Sequence, residues 1–229
     1  MGTLKMLTKL AMFLILLGTF SSDAQITQLY APNEMSSGRT TLSFDEFGDY
    51  VPVNTAYQNL GITFGRDDGG YVPVWDVRGY GVAYPSSNNI LFSGFFPLIG
   101  PTQAYTTHIT MSSLQPLNEI GGIFGNDGEI GSFGFERMSI FGATNEFLGS
   151  IDVTVNNNRD LDQFIGLRSS VPFYHVRFEN FTPSGIVSDG HGVALDDLNF
   201  TIVPEPTPLV LGVVGVGLWF FARRRRAWN

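Results

Sequence analysis

Four carboxylates lie at the ends of two segments that alternate between apolar and polar residues. Asp45 and Glu46 follow residues 40–44, and Asp196 and Asp197 interrupt a second alternating segment near the C-terminal end. Carboxylate oxygens, with backbone carbonyl oxygens, are the hard ligands that calcium binds. Asp45 or Glu46 together with Asp196 or Asp197 would supply a Ca²⁺ site if the fold brings the two segments together.

One aspartate of the second pair is expected to be buried. The phase of Leu198 and Phe200 nominates Asp196 for the inward position, because side chains two apart share one side of a strand. A buried carboxylate without a partner is costly, so the sequence predicts a cation or an arginine such as Arg177 beside it. A third explanation also stays open, in which both aspartates only cap turns.

Loop aromatic residues are candidate ligand-binding groups. Tyr71, Trp75, Tyr80 and Tyr84 cluster in the segment richest in glycine and proline. A flat ring offers apolar area to a sugar ring at low entropic cost, so these residues are candidate glycan-binding groups. The alternative is that Trp75 is a core residue of a strand at 71–77.

Catalytic signatures are weak in this sequence. His108, His175 and His191 have no metal-ligand spacing, and no serine lies in a Gly-x-Ser-x-Gly turn. Two acidic residues at the separation needed for glycoside hydrolysis stay an open alternative, since such a separation cannot be read from sequence. We therefore predict a protein that is not an enzyme.

The elements that must position these residues are short strands separated by turns. Glycine, asparagine, aspartate and proline clusters bound segments rich in Phe, Ile, Val and Tyr, and no part of the body has a sustained helical period. The candidate strands are residues 40–44, 61–64, 71–77, 90–95, 106–111, 119–124, 132–141, 147–155, 163–167, 173–181 and 193–201. The pattern predicts an all-β protein, a jelly-roll-like antiparallel β-sandwich over residues 40–202.

Composition narrows the function classes. Residues 25–203 carry nineteen acidic residues against seven arginines and no lysine, so the body repels nucleic acid and attracts cations. The chain has no cysteine, which excludes disulfides, thiolate nucleophiles and cysteine-type zinc sites. Stability must come from the core or from a bound ion.

The C-terminal end has three parts. Val203, Pro204, Glu205 and Pro206 precede an uncharged apolar run at 207–222, which four arginines follow: Arg223, Arg224, Arg225 and Arg226. A helix over 207–222 spans about 24 Å, short of the roughly 30 Å hydrocarbon core, so it is a short transmembrane helix that needs thinning or snorkelling. By the positive-inside rule the arginines stay in the cytoplasm.

This order of elements resembles the PEP-CTERM sorting signal of Gram-negative bacteria, here residues 203–229. The resemblance implies recognition by an exosortase, a membrane enzyme that cuts at or near the Pro-Glu-Pro element and releases or transfers its substrate. The bodies of such proteins resemble carbohydrate-binding sandwiches. In those modules the first and last strands lie close together and carboxylates there often hold calcium, which is where Asp45, Glu46, Asp196 and Asp197 would lie.

The N-terminus agrees with export. Lys5 and Lys9 precede an apolar run at 10–18, and Ser22 and Ala24 are small residues before a cut at Gln25. We predict a signal peptide at 1–24, handled by the secretion translocon and signal peptidase, and a flexible polar lead-in at 25–39.

Two function classes remain. The first is a cell-surface or extracellular-matrix module that binds exopolysaccharide after export through the inner membrane and a transient membrane stage. The second is a secreted carbohydrate-active enzyme that uses paired acidic residues. The absence of a catalytic signature favours the first class.

Overall fold

The structure is a computed structural model of the chain. It describes residues 24–66, 69–77, 89–93, 108–125, 134–156, 158, 160–186 and 192–204.

The described residues form strands with almost no helix, as the alternating sequence pattern predicts. The strands are β1 (Ile26–Leu29), β2 (Thr40–Leu42), β3 (Ile62–Gly65), β4 (Val74–Asp76), β5 (Asn89–Phe92), β6 (His108–Phe124), β7 (Phe135–Phe141), β8 (Phe147–Thr154), β9 (Gln163–Phe181) and β10 (Ala194–Ile202). Two 3-10 turns lie at Pro32–Glu34 and Gln58–Leu60. The all-β prediction is therefore confirmed.

The ten described strands join in one antiparallel hydrogen-bonded network. The main order is β4-β5-β10-β6-β9-β7-β8, while β1 pairs with β9, β2 with β10 and β3 with β6. The pairing of β2 with β10 brings the predicted first strand of the fold beside its last strand.

Two long strands, β6 and β9, pair with each other along most of their length. The sequence predicts two strands in each of these regions, and the structure joins each pair into one. The ladder shifts register at the middle of β6, where matching Ser-x-x-Pro segments occur in the two strands. In each segment the serine hydroxyl donates to a backbone carbonyl two residues on, at Ser113 and at Ser169. Pro116 and Pro172 have no N–H to donate to the ladder, and the serine side chains bind the backbone of the residues just before them, Gln115 and Val171.

The two halves of these long strands share one apolar core. Ile109 and Met111 from the first half of β6 lie in the same buried cluster as Ile120 and Phe124 from its second half. Both halves of these strands therefore contribute to one main core, and the opposite side of each half faces away from it.

The predicted flexible lead-in at 25–39 is wrong over Ile26–Leu29, which forms β1 against residues 166–169 of β9. Leu29 and Met35 are buried. The polar composition of the segment hides these two apolar anchors, and the unpaired backbone edge of β9 supplies the hydrogen bonds that order it.

Glu119 fastens this N-terminal segment to the sheet. Its carboxylate is buried, and it accepts hydrogen bonds from the backbone N–H and hydroxyl of Ser36 at 2.8 and 2.9 Å. Arg168 on β9 donates to it at 2.5 Å and Thr201 on β10 at 3.0 Å. Burial by itself would raise the pKa of Glu119, but these donors outweigh burial and hold the pKa below its usual value.

We predict that Glu119→Gln removes a stabilising contribution that depends on pH. Because the pKa of Glu119 is lowered in the folded state, its contribution is complete above the unfolded pKa and is lost as pH falls through the folded pKa. Hydrogen bonds to a charged group contribute about 1.5–3 kcal/mol, and we expect a loss of this order at neutral pH. Urea unfolding at pH 7 and pH 3 measures this, and the gap between wild type and variant should shrink at pH 3.

Asp152→Asn is the matched control, because Asp152 forms an exposed pair with Arg137 at 2.7 Å. Exposed pairs contribute about 0–1 kcal/mol. Equal losses in the two variants at pH 7 would contradict the role given to Glu119.

Candidate functional site

One side of the strands β3, β6, β9, β7 and β8 presents polar and aromatic side chains away from the core. On β9, His175, Arg177 and Glu179 alternate with the buried residues Val176 and Phe178. The strand register places Ser112 and Phe141 on either side of His175, and Thr110 and Ser139 on either side of Arg177. We call the seven residues on this side of the sheet the polar face. They are Thr110, Ser112, Ser139, Phe141, His175, Arg177 and Glu179, of which Ser139 and Glu179 are buried and the other five are partly exposed.

A depression of about 480 Å³ lies on the polar face. It is lined by Thr110, Ser112, Phe141, Asn145, His175, Val176 and Arg177. Three strands and the turn between β7 and β8 contribute to it. Its lining therefore combines hydroxyl, amide, imidazole and guanidinium groups with one aromatic ring.

His175 is held by a neighbouring strand. Its Nδ1 lies 2.9 Å from the Ser112 hydroxyl, directly opposite on β6. This hydrogen bond orients the imidazole ring, because it occupies one of the two ring nitrogens. The ring is consequently a fixed polar group in the wall of the depression.

Arg177 joins the polar and aromatic parts of the lining. Its guanidinium carbon lies 5.5 Å from the centre of the Phe141 ring, and its Nη1 lies 3.5 Å from Glu179 Oε1. A guanidinium over an aromatic face is favourable and keeps a planar donor in place. Arg177, which the sequence offered as a possible partner for a buried aspartate, pairs with Glu179 in the structure.

The turn between β7 and β8 forms the end of the depression. Asn145 adopts a left-handed conformation, with φ of 62°, which asparagine tolerates better than most residues. Glu146 accepts hydrogen bonds from the backbone N–H and hydroxyl of Thr144, at 2.9 and 2.7 Å. Phe147, 62% exposed, meets Phe141 edge to face at 5.8 Å. Two aromatic rings thus border a cluster of hydrogen-bonding groups.

The aromatic residues that the sequence nominates lie elsewhere. Trp75, on β4, packs on Phe92 at 4.8 Å and is partly buried beside a small second apolar cluster. Tyr71 is 70% exposed. β4 lies at the opposite end of the main strand order from β8. Tyr80 and Tyr84 lie outside the described residues.

The structure does not gather the four predicted calcium ligands into one group. Asp45 and Glu46 are exposed, and Glu46 Oε1 accepts the Tyr57 hydroxyl at 2.7 Å. Burial and then this bond raise the pKa of Tyr57. Among the described residues no three His, Asp or Glu side chains form a metal-binding group. Calcium at this position stays a prediction.

Asp196 is fully buried, as predicted, but on the other side of β10 from Leu198 and Phe200. A bulge in the β10–β6 ladder between Asp196 and Asn199 inverts the phase, and Asp197 takes a left-handed φ of 44° within it. Asp196 therefore lies opposite Ile123, which belongs to the small second apolar cluster. Its Oδ1 accepts the Asp197 N–H at 2.7 Å.

The C-terminal sorting elements lie almost wholly outside the described residues. Val203 donates its N–H to the Pro116 carbonyl at 2.8 Å, and Pro204 is the last residue described. Glu205, Pro206, the 207–222 run and the arginines lie beyond it. The predicted signal peptide at 1–24 also lies outside the described residues, except for Ala24. Within the ranges given above, the structure has no helix long and apolar enough to cross a membrane.

Comparison with known proteins yields remote structural likenesses. No family model and no curated protein matches the chain. The K2 cleaved adhesin domain of Lys-gingipain matches 72% of this chain and 99% of its own, at 13% identity and a TM-score of 0.46. A DUF4465 family protein from Bacteroides caccae matches 78% and 100%, at 13% identity and a TM-score of 0.40.

A third likeness, to an arabinose-bound GH51 α-L-arabinofuranosidase, covers 69% of this chain and a quarter (25%) of the enzyme, at 9% identity and a TM-score of 0.45. At these identities and scores no family follows.

The polar face was not predicted from the sequence. The pattern that could have indicated it is the run from Tyr174 to Glu179, in which polar residues alternate with Val176 and Phe178. The aromatic border, Phe141 and Phe147, flanks a short turn. Neither sequence pattern indicates a binding site by itself, because the residues come together only when β6 and β7 pair with β9.

We predict that Asp196→Asn reduces a calcium-dependent rise in the thermal midpoint if Asp196 is a ligand. Calcium at a concentration of ~100 times the Kd of a site stabilises the folded state by about 2.7 kcal/mol. For a chain of this size this raises the thermal midpoint by several degrees. Thermal melts in chelator and in millimolar calcium measure the rise. Asp162→Asn, at an exposed carboxylate, is the control and should keep the rise. Identical wild-type midpoints in both buffers would leave Asp196 a structural residue.

Proposed function

We propose that this chain is an exported glycan-binding module of the cell surface or extracellular matrix. The depression between Phe141, His175 and Arg177 is the observation that supports it. A sugar ring has apolar C–H faces and a rim of hydroxyls. Phe141 and Phe147 offer apolar ring area for the faces, while the groups of Ser112, His175 and Arg177 match the hydroxyls.

The proposed architecture behind this site is a jelly-roll-like β-sandwich. The single apolar core shared by both halves of β6 and β9 supports it, because two sheet halves that enclose one core form two packed layers. In such a sandwich the polar face is the outer surface of one layer. A long glycan chain then lies across several strands at once.

We propose a binding protein and not an enzyme. Glycoside hydrolysis uses two carboxyl groups at the scissile bond. The described residues that line the depression include no carboxylate, and Glu179 beside it is paired with Arg177. Hydrolysis by paired acidic residues stays the alternative, and it predicts released sugar.

We predict that Phe141→Ala weakens glycan binding about fivefold, since loss of a stacking ring costs about 1 kcal/mol. Affinity electrophoresis of the full chain in gels containing neutral or uronate polysaccharides measures binding. Tyr71→Ala is the control, because Tyr71 is exposed and lies on the segment before β4. A loss with Tyr71→Ala and none with Phe141→Ala would move the site to the predicted loop aromatics, and reducing-end release would favour the enzyme.

We also propose export and C-terminal processing, on the sequence signals alone. The translocon and signal peptidase handle residues 1–24, the short helix at 207–222 holds the protein briefly in the inner membrane, and an exosortase acts near Glu205. The body then resides at the cell surface or outside the cell, consistent with its acidic, cysteine-free composition.

Mass spectrometry of the mature protein is expected to find an N-terminus near Gln25 and no peptide after Pro206. Glu205→Ala should block cutting and retain the protein in the inner membrane, whereas Glu146→Gln, in an exposed turn of the body, should not. Secreted protein that carries an intact Arg223 to Arg226 tail would contradict this proposal.

A further inference from the structure

Glu136 is a carboxyl group buried on the core side of the sheet. It is the second residue of β7 and shares the inward side with Met138 and Ile140. It is 1% exposed. Its neighbour Arg137 faces the other way and pairs with Asp152. A lone carboxylate in such a place loses several kcal/mol of hydration.

Its Oε1 atom has no hydrogen-bond partner among the described residues. Burial is the cause of the strong upward shift in the pKa of Glu136. Glu119 differs in this respect, because four donor groups surround its carboxylate.

Asn180 brings a second unpartnered oxygen to the same place. It lies directly opposite Glu136 on β9 and is 2% exposed. Its amide nitrogen donates to the Gly192 carbonyl at 2.7 Å, so that bond fixes which end of the amide points to Gly192. The amide oxygen then points away from Gly192 and has no partner within the described ranges.

Two oxygen acceptors on directly opposed residues repel each other unless a proton or a cation lies between them. Opposed residues on paired strands have Cβ atoms about 4.5–5.5 Å apart, within reach of both side chains. The Gly192 carbonyl oxygen, already beside Asn180, keeps a second lone pair. A carboxylate, an amide oxygen and a backbone carbonyl are the ligand types of calcium sites.

We propose that Glu136 and Asn180 are side-chain ligands of a buried site for a hard divalent cation of the calcium class. The site lies where β7 begins and β9 ends, and Gly192, two residues before β10, adjoins it. The cation ties the ends of three strands together. It is separate from the carboxylates at Asp45 and Asp196, which lie on other strands and loops.

Calcium chloride titration of the full chain by isothermal calorimetry and equilibrium dialysis tests the site. Glu136→Gln is the central variant, because it keeps the shape of the side chain, removes the buried charge and has no reason to unfold. We expect it to bind one calcium ion fewer, or the remaining affinity to fall at least tenfold. Asn180→Asp adds charge to the same site and should bind calcium more tightly than wild type.

Two controls separate this site from the others. Glu146→Gln changes an exposed carboxylate and should titrate as wild type does. Glu136→Gln made in the Asp196→Asn background should still remove one ion, if the two positions are independent. Wild-type chain that binds no calcium, or Glu136→Gln that binds calcium as wild type does, would overturn the proposal. Glu136 would then be a protonated acid that donates to Asn180.

Discussion

The antiparallel pairing of β6 with β9 is the constraint on which the rest of the structure depends. Every other strand except β4, β5, β2 and β8 pairs directly with one of these two. The register decides which side chains leave the core. A slip of one residue would turn His175 and Arg177 inward and Val176 and Phe178 outward, so the polar face exists because apolar burial holds the register.

The same pairing distributes the buried acids. Glu119 and Arg168 are opposite each other in this ladder, and the ion pair keeps Glu119 charged where the N-terminal segment crosses the strands. Glu136 lies on β7, the next strand after β9, on the core side, where no described donor reaches its Oε1. The two glutamates therefore have opposite pKa shifts: hydrogen-bond donors lower the pKa of Glu119, and deeper burial raises the pKa of Glu136.

Local patterns were enough to predict the all-β class, most strand positions and the burial of Asp196. They predicted a break at the proline in the middle of β6 and of β9, but both strands continue there. The side chains of Ser113 and Ser169 form the backbone hydrogen bonds that allow this, and a local pattern does not show such bonds. The candidate site escaped prediction for a related reason. His175, Phe141 and Ser112 are distant in sequence, and only the long-range register of β9 with β6 and β7 brings them to a common side.

The position of β10 has a mechanical consequence. This last described strand is hydrogen-bonded to β6 on one side and to β2 and β5 on the other. Just past its end, the Val203 N–H donates one more hydrogen bond to the Pro116 carbonyl. A pull on the C-terminal end runs along the strand and loads these bonds together in shear, instead of peeling them one at a time. If the opposing force enters at the polar face, the load path crosses β6 and β9. A chain tethered by its C-terminus would thus resist extension through its most central strands.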